Sequence, residues 1–276
     1  MTAATTPSGS LEAVDRLVES ARAVTVRSPG AFEPAPGNAG ASAAITKQRA
    51  DKVFVFEKQA SNSPFVERIW RTHSEPVESF LSVAESHWEM VVIRQVGKTQ
   101  LWVRGPETKA TTSPIPKNAQ FFGIVFRHGT FMPCLPITQL VDGSITLPAA
   151  TGKTFWLNNS IWEFPQYENA DSFMTRLVRE GLIARDPLVE SALHGHVNDL
   201  SVRSVERRIL RSTGLTRTAI KQIERAHAAV QLLDHGVPIL DTVAQAGYAD
   251  QAHLTRSLKR FIGQTPAETL RTVKAT

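Results

Sequence analysis

The chain has 276 residues, of which 42% are apolar, so it is long enough and apolar enough for two domains of ordinary size. Its single cysteine, Cys134, excludes a disulfide within the chain, and its formal net charge of +5 permits nucleic-acid binding without arguing for it. The first ten residues lack the basic and apolar segments of a secretion signal, and no stretch approaches the roughly 18 apolar residues of a membrane helix. We therefore expect a soluble, cytoplasmic protein that does not enter a membrane.

Residues 1–48 are rich in Ala, Ser, Thr, Pro and Gly, and we predict an N-terminal extension that is partly disordered. Within it, the stretch Ser28–Ser42 has the composition of a linker. Small and apolar residues before that stretch recur at helical spacing. They predict a short helix and are Leu11, Val14, Leu17, Val18 and Ala21.

Residues 49–184 are predicted to form a β-rich domain, because short runs of Val, Ile, Phe and Trp are separated by Gly, Pro and Asn. Gly97 and Lys98 lie between two such runs and predict a hairpin turn. Many short strands with regular breaks are typical of a sandwich or a small barrel. The predicted strands are Val53–Lys58, Val66–Arg71, Glu89–Val96, Thr99–Arg104, Phe121–Arg127 and Thr154–Leu157.

The β-rich domain offers few residues for metal or redox chemistry. A metal site needs three or four converging ligands, and the ligand-type residues form no second spaced cluster; they are His73, His87, Glu89 and His128. We therefore predict no metal and no cofactor. Cys134 is predicted to be a small buried residue and not a redox sensor. The tryptophans are predicted mostly to fill the core, although some could line a ligand pocket; they are Trp70, Trp88, Trp102, Trp156 and Trp162.

Residues 185–276 are predicted to form an all-α domain that begins with one helix-turn-helix unit. Its first helix spans Pro187–Leu193, and its second helix spans Val202–Ser212. Ser201 is a favourable N-cap for the second helix, and Gly214 can end it. A short helix, a turn and a second helix in this order are typical of DNA-binding units.

A second unit with the same order follows. Pro238 can begin its first helix, residues 246–249 predict a tight turn, and Asp250 can cap its second helix. Between the two units, Arg217–Asp234 predicts a helix that Gly236 ends, with a length of roughly 27 Å. Two helices that enter successive major grooves on one face of DNA lie about 34 Å apart. The connecting helix therefore has a suitable length for such a pair.

The second helix of each unit is amphipathic, with a polar and basic outer face. Arg and Gln on such a face can make bidentate contacts to guanine and adenine edges. Ser201–Arg225 also holds seven basic residues against two acidic ones, which suits phosphate neutralisation. The predicted inward residues are Val205, Ile209, Leu210, Ile239, Leu240, Val243, Ala244, Leu254, Leu258, Phe261 and Ile262. The predicted outward residues are Arg203, Glu206 and Arg207 on the first of these helices, flanked by Arg208 and Arg211, and Gln251, Ala252, Thr255, Arg256 and Lys259 on the second.

The segment Leu200–Arg271 resembles the DNA-binding domain of the AraC/XylS family of bacterial transcription regulators. The motifs that carry the resemblance are Ser201–Arg208 with Gly214, Ile239–Ala244, Gly247–Gln251 and Leu254–Pro266. The sequence departs from the family at Leu210 and Leu258, where Phe is usual, and at Tyr248, where Phe is frequent. The base contacts that the resemblance implies are Val202, Arg203, Glu206, Arg207, Gln251, Ala252, His253 and Arg256. We add Arg211 and Lys259 to the predicted DNA-binding residues.

In this family, a front domain of this size and β content is commonly a cupin-like barrel for effector sensing or dimerisation, and Ser86–Val92 resembles its first strands. The resemblance therefore implies an α+β protein with a β-rich, cupin-like barrel or sandwich at 49–184. An all-α domain with two helix-turn-helix units joined by a long helix follows at 185–276. The predicted helix Asp171–Gly181 resembles the one that pairs subunits in family members, and packing on its own domain is an equal alternative.

These patterns predict a sequence-specific DNA-binding transcription regulator that is not an enzyme. The expected partner is double-stranded DNA, with RNA polymerase and a small-molecule effector as further candidates, and the expected state is a homodimer or a monomer. A cupin-type metal enzyme with a helical appendage is one alternative, and it requires bound metal. A module that pairs with other proteins through its helices is another, and it predicts no salt-dependent binding to DNA.

Overall fold

The computed structural model of the protein describes residues 57–73, 79–114, 118–196 and 201–274. The short helix predicted near residue 11 and most of the first predicted strand lie outside these ranges. In chain order, the strands are β1 (Glu57–Gln59), β2 (Val66–His73), β3 (Ser79–Ser82), β4 (Glu89–Gln95), β5 (Lys98–Arg104), β6 (Thr111–Pro114), β7 (Gln120–Phe126), β8 (Thr130–Phe131), β9 (Ser144–Leu147), β10 (Thr154–Leu157), β11 (Ser160–Glu163) and β12 (Ala184–Arg185). The α-helices are α1 (Ala170–Arg179), α2 (Pro187–Leu193), α3 (Val202–Thr213), α4 (Arg217–Asp234), α5 (Ile239–Gln245), α6 (Gln251–Phe261) and α7 (Pro266–Lys274).

The strands and α1 make up a front domain, and α2–α7 make up a helical domain, so the predicted α+β fold class is confirmed. The main sheet of the front domain is antiparallel and has the strand order β1-β2-β7-β4-β5-β9. Because β1 and β9 lie at opposite edges, the described strands form an open sheet, and the expectation of a closed barrel is wrong. The sandwich alternative fits, because the strand pairs β3–β6, β8–β12 and β10–β11 form further small sheets in addition to the main sheet.

One face of the main sheet builds the core of the front domain. Ile124 on β7 pairs with Ile69 on β2 and with Met90 on β4, so these three side chains lie side by side. Each is at most 1% exposed. Just before β4, the ring of Trp88 stacks on Phe126 with 3.8 Å between centroids. The alternation of strand side chains therefore gives this sheet one fully buried face.

Helix α1 packs on its own domain. Phe173, Met174 and Leu177 are buried in the same core as the sheet, and Phe173 meets Trp162 edge to face at 6.1 Å. Exposed positions on α1 carry polar side chains such as Thr175. Packing on its own domain, one of the two roles left open for this helix, is therefore observed, and pairing of subunits stays a prediction.

Five predicted strands coincide with β2, β4, β5, β7 and β10. The predicted hairpin turn is wrong by one residue, because Gln95 pairs with Lys98 and leaves Val96 and Gly97 as the turn. Gly97 has φ 74°, which glycine adopts without a steric penalty. The strands without a prediction have two to four residues each, too few for a period of two to stand out; they are β3, β6, β8, β9, β11 and β12.

The helical domain encloses a second core around α4. One side of α4 is buried along its whole length, from Ile220 through Ile223 and Ala226 to Leu233. The predicted inward residues that are buried around it are Val205, Ile209, Leu254, Leu258, Phe261 and Ile262. None of the helices in the described ranges combines the length and apolar character needed to cross a membrane.

Three predicted inward positions of the helical domain are wrong. Leu210 is 44% exposed and Leu240 is 70% exposed, and Ala244 is also exposed. In α5, the fully buried position belongs instead to Thr242, whose hydroxyl donates to the Pro238 carbonyl oxygen at 3.0 Å. A threonine whose hydroxyl bonds to the backbone of its own helix can lie buried among apolar side chains. An assignment based on apolar residues alone therefore chose the wrong face of this short helix as the buried one.

Gly123 on β7 supports a testable prediction about the front domain. A Cβ atom at this position would lie 2.2 Å from the Trp70 ring, so Gly123→Ala must displace an indole that donates to Glu89 at 3.0 Å. We expect a loss of about 1–3 kcal/mol in the free energy of unfolding, measured by urea denaturation. Gly152→Ala is the control, because a Cβ there meets nothing within 4 Å. Equal stability of the two variants would contradict the prediction.

Candidate nucleic-acid interface

Helix α3 is fixed at both ends by its own sequence. The Ser201 hydroxyl accepts a hydrogen bond from the Ser204 amide at 3.3 Å and so caps the first turn. At the other end, Gly214 adopts φ 75° in the left-handed region, and its amide donates to the Leu210 carbonyl oxygen at 2.9 Å. Both predicted end signals are thus confirmed, although α3 runs one residue further than predicted, to Thr213.

Helix α6 is fixed in a similar way. The Asp250 carboxylate accepts from the His253 amide at 2.6 Å, which confirms the predicted cap. In the turn before it, Tyr248 is 5% exposed, and its hydroxyl lies 2.9 Å from the Ser257 hydroxyl. The Arg225 guanidinium of α4 covers the same ring at 4.6 Å from its centroid. The turn of the second unit is therefore held against both α4 and α6.

The predicted contact residues of α3 lie mostly at its surface. Val202 is 77% exposed, Arg203 and Arg207 are exposed, and Glu206 is half-buried. Arg211 is also exposed, but its guanidinium lies 5.4 Å from the centroid of the Phe131 ring in the front domain. Arg211 thus packs on the front domain, whereas Val202, Arg203 and Arg207 present exposed side chains at the surface of α3.

On α6, the predicted contact residues also form an outward face. Gln251, Ala252, Arg256 and Lys259 are exposed. His253 is half-buried because its ring meets Tyr248 edge to face at 5.1 Å. The face therefore offers an amide, a methyl group and two cations from successive turns of one helix.

Helix α4 joins the two units as one continuous rod. It spans 18 residues, as predicted, and Thr216 caps it by accepting from the Ala219 amide at 3.2 Å. At about 1.5 Å per residue, its axis is roughly 27 Å long. Its buried stripe ties it to the helices of both units, so it connects α3 and α6 through the core as well as through the chain.

Several contacts of the helical domain were not visible in the sequence. Asp186 accepts from the Leu188 amide at 3.2 Å as the cap of α2 and forms an ion pair with Arg208 of α3 at 2.6 Å. The His227 ring of α4 donates from Nε2 to the Ala84 carbonyl oxygen at 2.7 Å. Asp186 before a proline is a recognisable cap, but no local signal connects it to Arg208 or connects Ala84 to α4.

A polar cluster of the front domain faces α4. The His87 and His128 rings stack with 4.0 Å between centroids, and Glu85 lies 2.7 Å from Nδ1 of His87. Burial, followed by the neighbouring His87, lowers the pKa of His128 to about 3. Burial opposes ionisation of Glu85, but bonds from His87 and Arg68 outweigh it and lower its pKa.

Of the ligand-type residues named from the sequence, His87 and His128 stack on each other, but Glu89 has other partners. Glu89 bonds to Trp70 and Arg104, and burial raises the pKa of Glu89 despite these partners. Within the four described ranges, no group of three or more His, Cys, Asp or Glu side chains could hold a metal ion. Cys134 is only partly buried, and burial raises the pKa of its thiol, which disfavours the reactive thiolate.

The tryptophans divide between core and surface. Trp88 and Trp162 are at most 3% exposed, whereas Trp156 is 43% exposed and pairs across the β10–β11 hairpin with Ile161. A cavity of about 380 Å³ lies at one end of the main sheet. Its lining includes the charged side chains of Arg71, Arg94 and Glu57 and the aromatic ring of Tyr167.

Comparison with known proteins assigns the helical domain to the class of helix-turn-helix domains. Residues 197–272 match the family described as "Helix-turn-helix domain". The "HTH-type transcriptional regulator RipA" of Corynebacterium diphtheriae is 32% identical over 96 residues, which cover 33% of this chain and 28% of that protein. The chain thus matches little more than a quarter of the length of this relative. Residues 197–272 carry an AraC-type helix-turn-helix domain, and a transcriptional regulator is a homologue of part of the chain.

Two solved structures resemble the chain over a longer stretch. The crystal structure of ToxT from Vibrio cholerae O395 aligns with 80% of this chain and 99% of that chain, at 10% identity and a TM-score of 0.36. The structure of ToxT bound to (E)-4-(8-methylnaphthalen-1-yl)but-3-enoic acid aligns with 79% and 99%, at 11% identity and a TM-score of 0.34. At TM-scores this low, the likeness does not establish a shared overall fold.

The lowered pKa of His128 predicts a pH dependence of stability. Because its folded pKa lies below the ordinary value of 6.5, the unfolded chain takes up the proton first, so stability falls as pH falls below about 6.5. We expect the free energy of unfolding of the wild type, relative to His128→Gln, to fall by about 1 kcal/mol per pH unit between pH 6.5 and 5. Urea denaturation at constant ionic strength measures it. Parallel pH profiles for the two proteins would refute the prediction.

Proposed function

We propose that the protein is a sequence-specific DNA-binding transcription regulator that reads two successive major grooves through α3 and α6. The observation that carries the proposal is the pair of capped helices with exposed polar faces, joined by one continuous helix. The AraC-type domain and the regulator homologue support the same class of function. A helix-turn-helix unit places its second helix in the major groove.

The proposed base readout follows from the side chains of the two faces. Arg203 and Arg256 suit the O6 and N7 acceptors of guanine, and Gln251 suits adenine. Glu206 can accept from the N4 amine of cytosine, and Ala252 can contact the methyl group of thymine. On this proposal, each helix reads bases through residues of its first two turns.

The proposed phosphate contacts lie further along the same helices. Lys259 is an exposed cation beyond the second turn of α6, where it can neutralise backbone charge without reading sequence, whereas Arg207 stays among the proposed base contacts. Arg211 remains in the proposed set, but reaching DNA would require its guanidinium to leave the Phe131 ring. The proposal includes no enzymatic activity, in keeping with the regulator class.

The front domain is proposed to respond to a small molecule. The cavity at the end of the main sheet, at about 380 Å³, lies in the size range of ligand pockets and pairs charged groups with the Tyr167 ring. A ligand-dependent change in DNA affinity, lost in Arg94→Ala, would support this role. Dimerisation and contact with RNA polymerase are proposed as further properties of the regulator class.

The proposed readout predicts a defined loss on removing one arginine. Arg256→Ala should lose about 1–3 kcal/mol of discrimination at one base pair, because its guanidinium no longer bonds to a base edge. Arg203→Ala should have the same effect at a different base pair, in the other major groove. Selection of bound sequences from a random pool, followed by fluorescence-anisotropy titration of single-base variants, measures both.

Arg179→Ala is the matched control for these variants. Arg179 lies at the end of α1, is 73% exposed, and its removal changes the net charge by the same amount. The control should keep the wild-type preference at every base pair. Binding of all DNA sequences with equal affinity by the wild type would overturn the proposed function.

A further inference from the structure

The C-terminal end of α6 is held by main-chain donors of the front domain. The last carbonyl groups of an α-helix have no amide partner within the helix. Here the Ala84 amide donates to the Phe261 carbonyl oxygen at 2.7 Å, and the Ala110 amide donates to the Arg260 carbonyl oxygen at 2.8 Å. The front domain therefore supplies partners to two carbonyl groups at the end of this recognition helix.

Ala84 also lies inside the core of the helical domain. It is fully buried among the apolar side chains of that core, although it belongs to the segment before β4. Its carbonyl oxygen accepts from His227 Nε2 on α4 at 2.7 Å. Just past α6, a Cβ atom at Gly263 would lie 2.9 Å from Leu81, so the two domains pack closely here. These contacts are called the α6 anchor.

Helix α3 has an anchor of its own on the front domain. Asp186 follows β12, donates its amide to the Gly129 carbonyl oxygen at 2.8 Å and pairs with Arg208 of α3 at 2.6 Å. Beyond α3, a Cβ atom at Gly214 would lie 2.9 Å from Val141 of the front domain. These contacts are called the α3 anchor. Both recognition helices thus contact the front domain near their C-terminal ends.

We propose that the front domain, together with α4, sets the separation and relative tilt of the two recognition helices, and so fixes the number of base pairs between the two groups of bases that they read. This inference rests on the proposed function. One base-pair step advances along DNA by about 3.4 Å, so a small movement of one helix changes which bases it meets. When the two recognition helices are held in a fixed arrangement, the second helix enters its groove without a further loss of rotational freedom, provided that the spacing of the DNA site fits.

The test compares DNA of the selected spacing with DNA that has one base pair added or removed between the two groups of bases. Asp186→Asn keeps a capping oxygen for α2 and removes the charge that pairs with Arg208, and His227→Ala removes the donor to Ala84. Each should lower affinity for the selected spacing by about threefold while leaving the altered spacings nearly unchanged. The preference for the selected spacing therefore falls.

Glu180→Gln is the matched control, because it neutralises an exposed ion pair with Arg179, 3.5 Å long, within the front domain. It should keep the wild-type preference for spacing. A variant that is merely less stable would lose affinity for all spacings in equal proportion. Wild-type preference in both anchor variants would overturn the inference while leaving the proposed function intact.

A second measurement needs no DNA and distinguishes a failure of this inference from a failure of the proposed function. Hydrogen exchange of the Ala84 and Ala110 amides should be slow in the wild type and several-fold faster at Ala84 in His227→Ala. Unprotected amides in the wild type would overturn the inference whatever the protein does with DNA. Protected amides in a protein without sequence preference would leave the α6 anchor standing and overturn the proposed function.

Discussion

The burial of one side of α4 is the constraint on which the helical domain depends. Ile220, Ile223 and Leu233 are at most 1% exposed, and between them Ala226 and Ala229 are fully buried. Small side chains at these positions let neighbouring helices approach the axis of α4 closely. Because both helix-turn-helix units pack on this one stripe, the outer faces of α3 and α6 are oriented by apolar contacts, and their polar side chains remain available for other partners.

The helix boundaries of the helical domain could be predicted from the sequence, because a capping residue bonds to a backbone amide within one turn. Ser201 and Asp250 bond to amides three residues away, and the span of α4 was predicted to the residue. The face of α5 was misjudged because Leu240 points outward while the hydrogen-bonded Thr242 is buried. A helix of seven residues gives too short a period to separate its faces by apolar content alone.

The strand order of the front domain was harder to predict from the sequence, because it is set by contacts between residues that are far apart in the chain. Its longer strands carry a clear apolar signal, but the short strands are defined by partners that local sequence does not specify; β8, for example, pairs with β12. The open edges of the sheet have no sequence signature, so the sequence left a barrel and a sandwich as alternatives. Of the candidate interface, the exposed residues of α3 and α6 were predictable from the period of each helix, whereas their contacts to Asp186 and Ala84 were not.

The α6 anchor joins parts of the chain that are synthesised at different times. His227 and Ala84 are 143 positions apart, so the contact between them closes a long loop of the chain. A ribosome releases the front domain first, and the amides that complete α6 exist before α6 has been synthesised. The helical domain therefore reaches its final form by docking onto a surface that is already folded. A fragment that starts at α2 would leave the end of α6 to be completed by water.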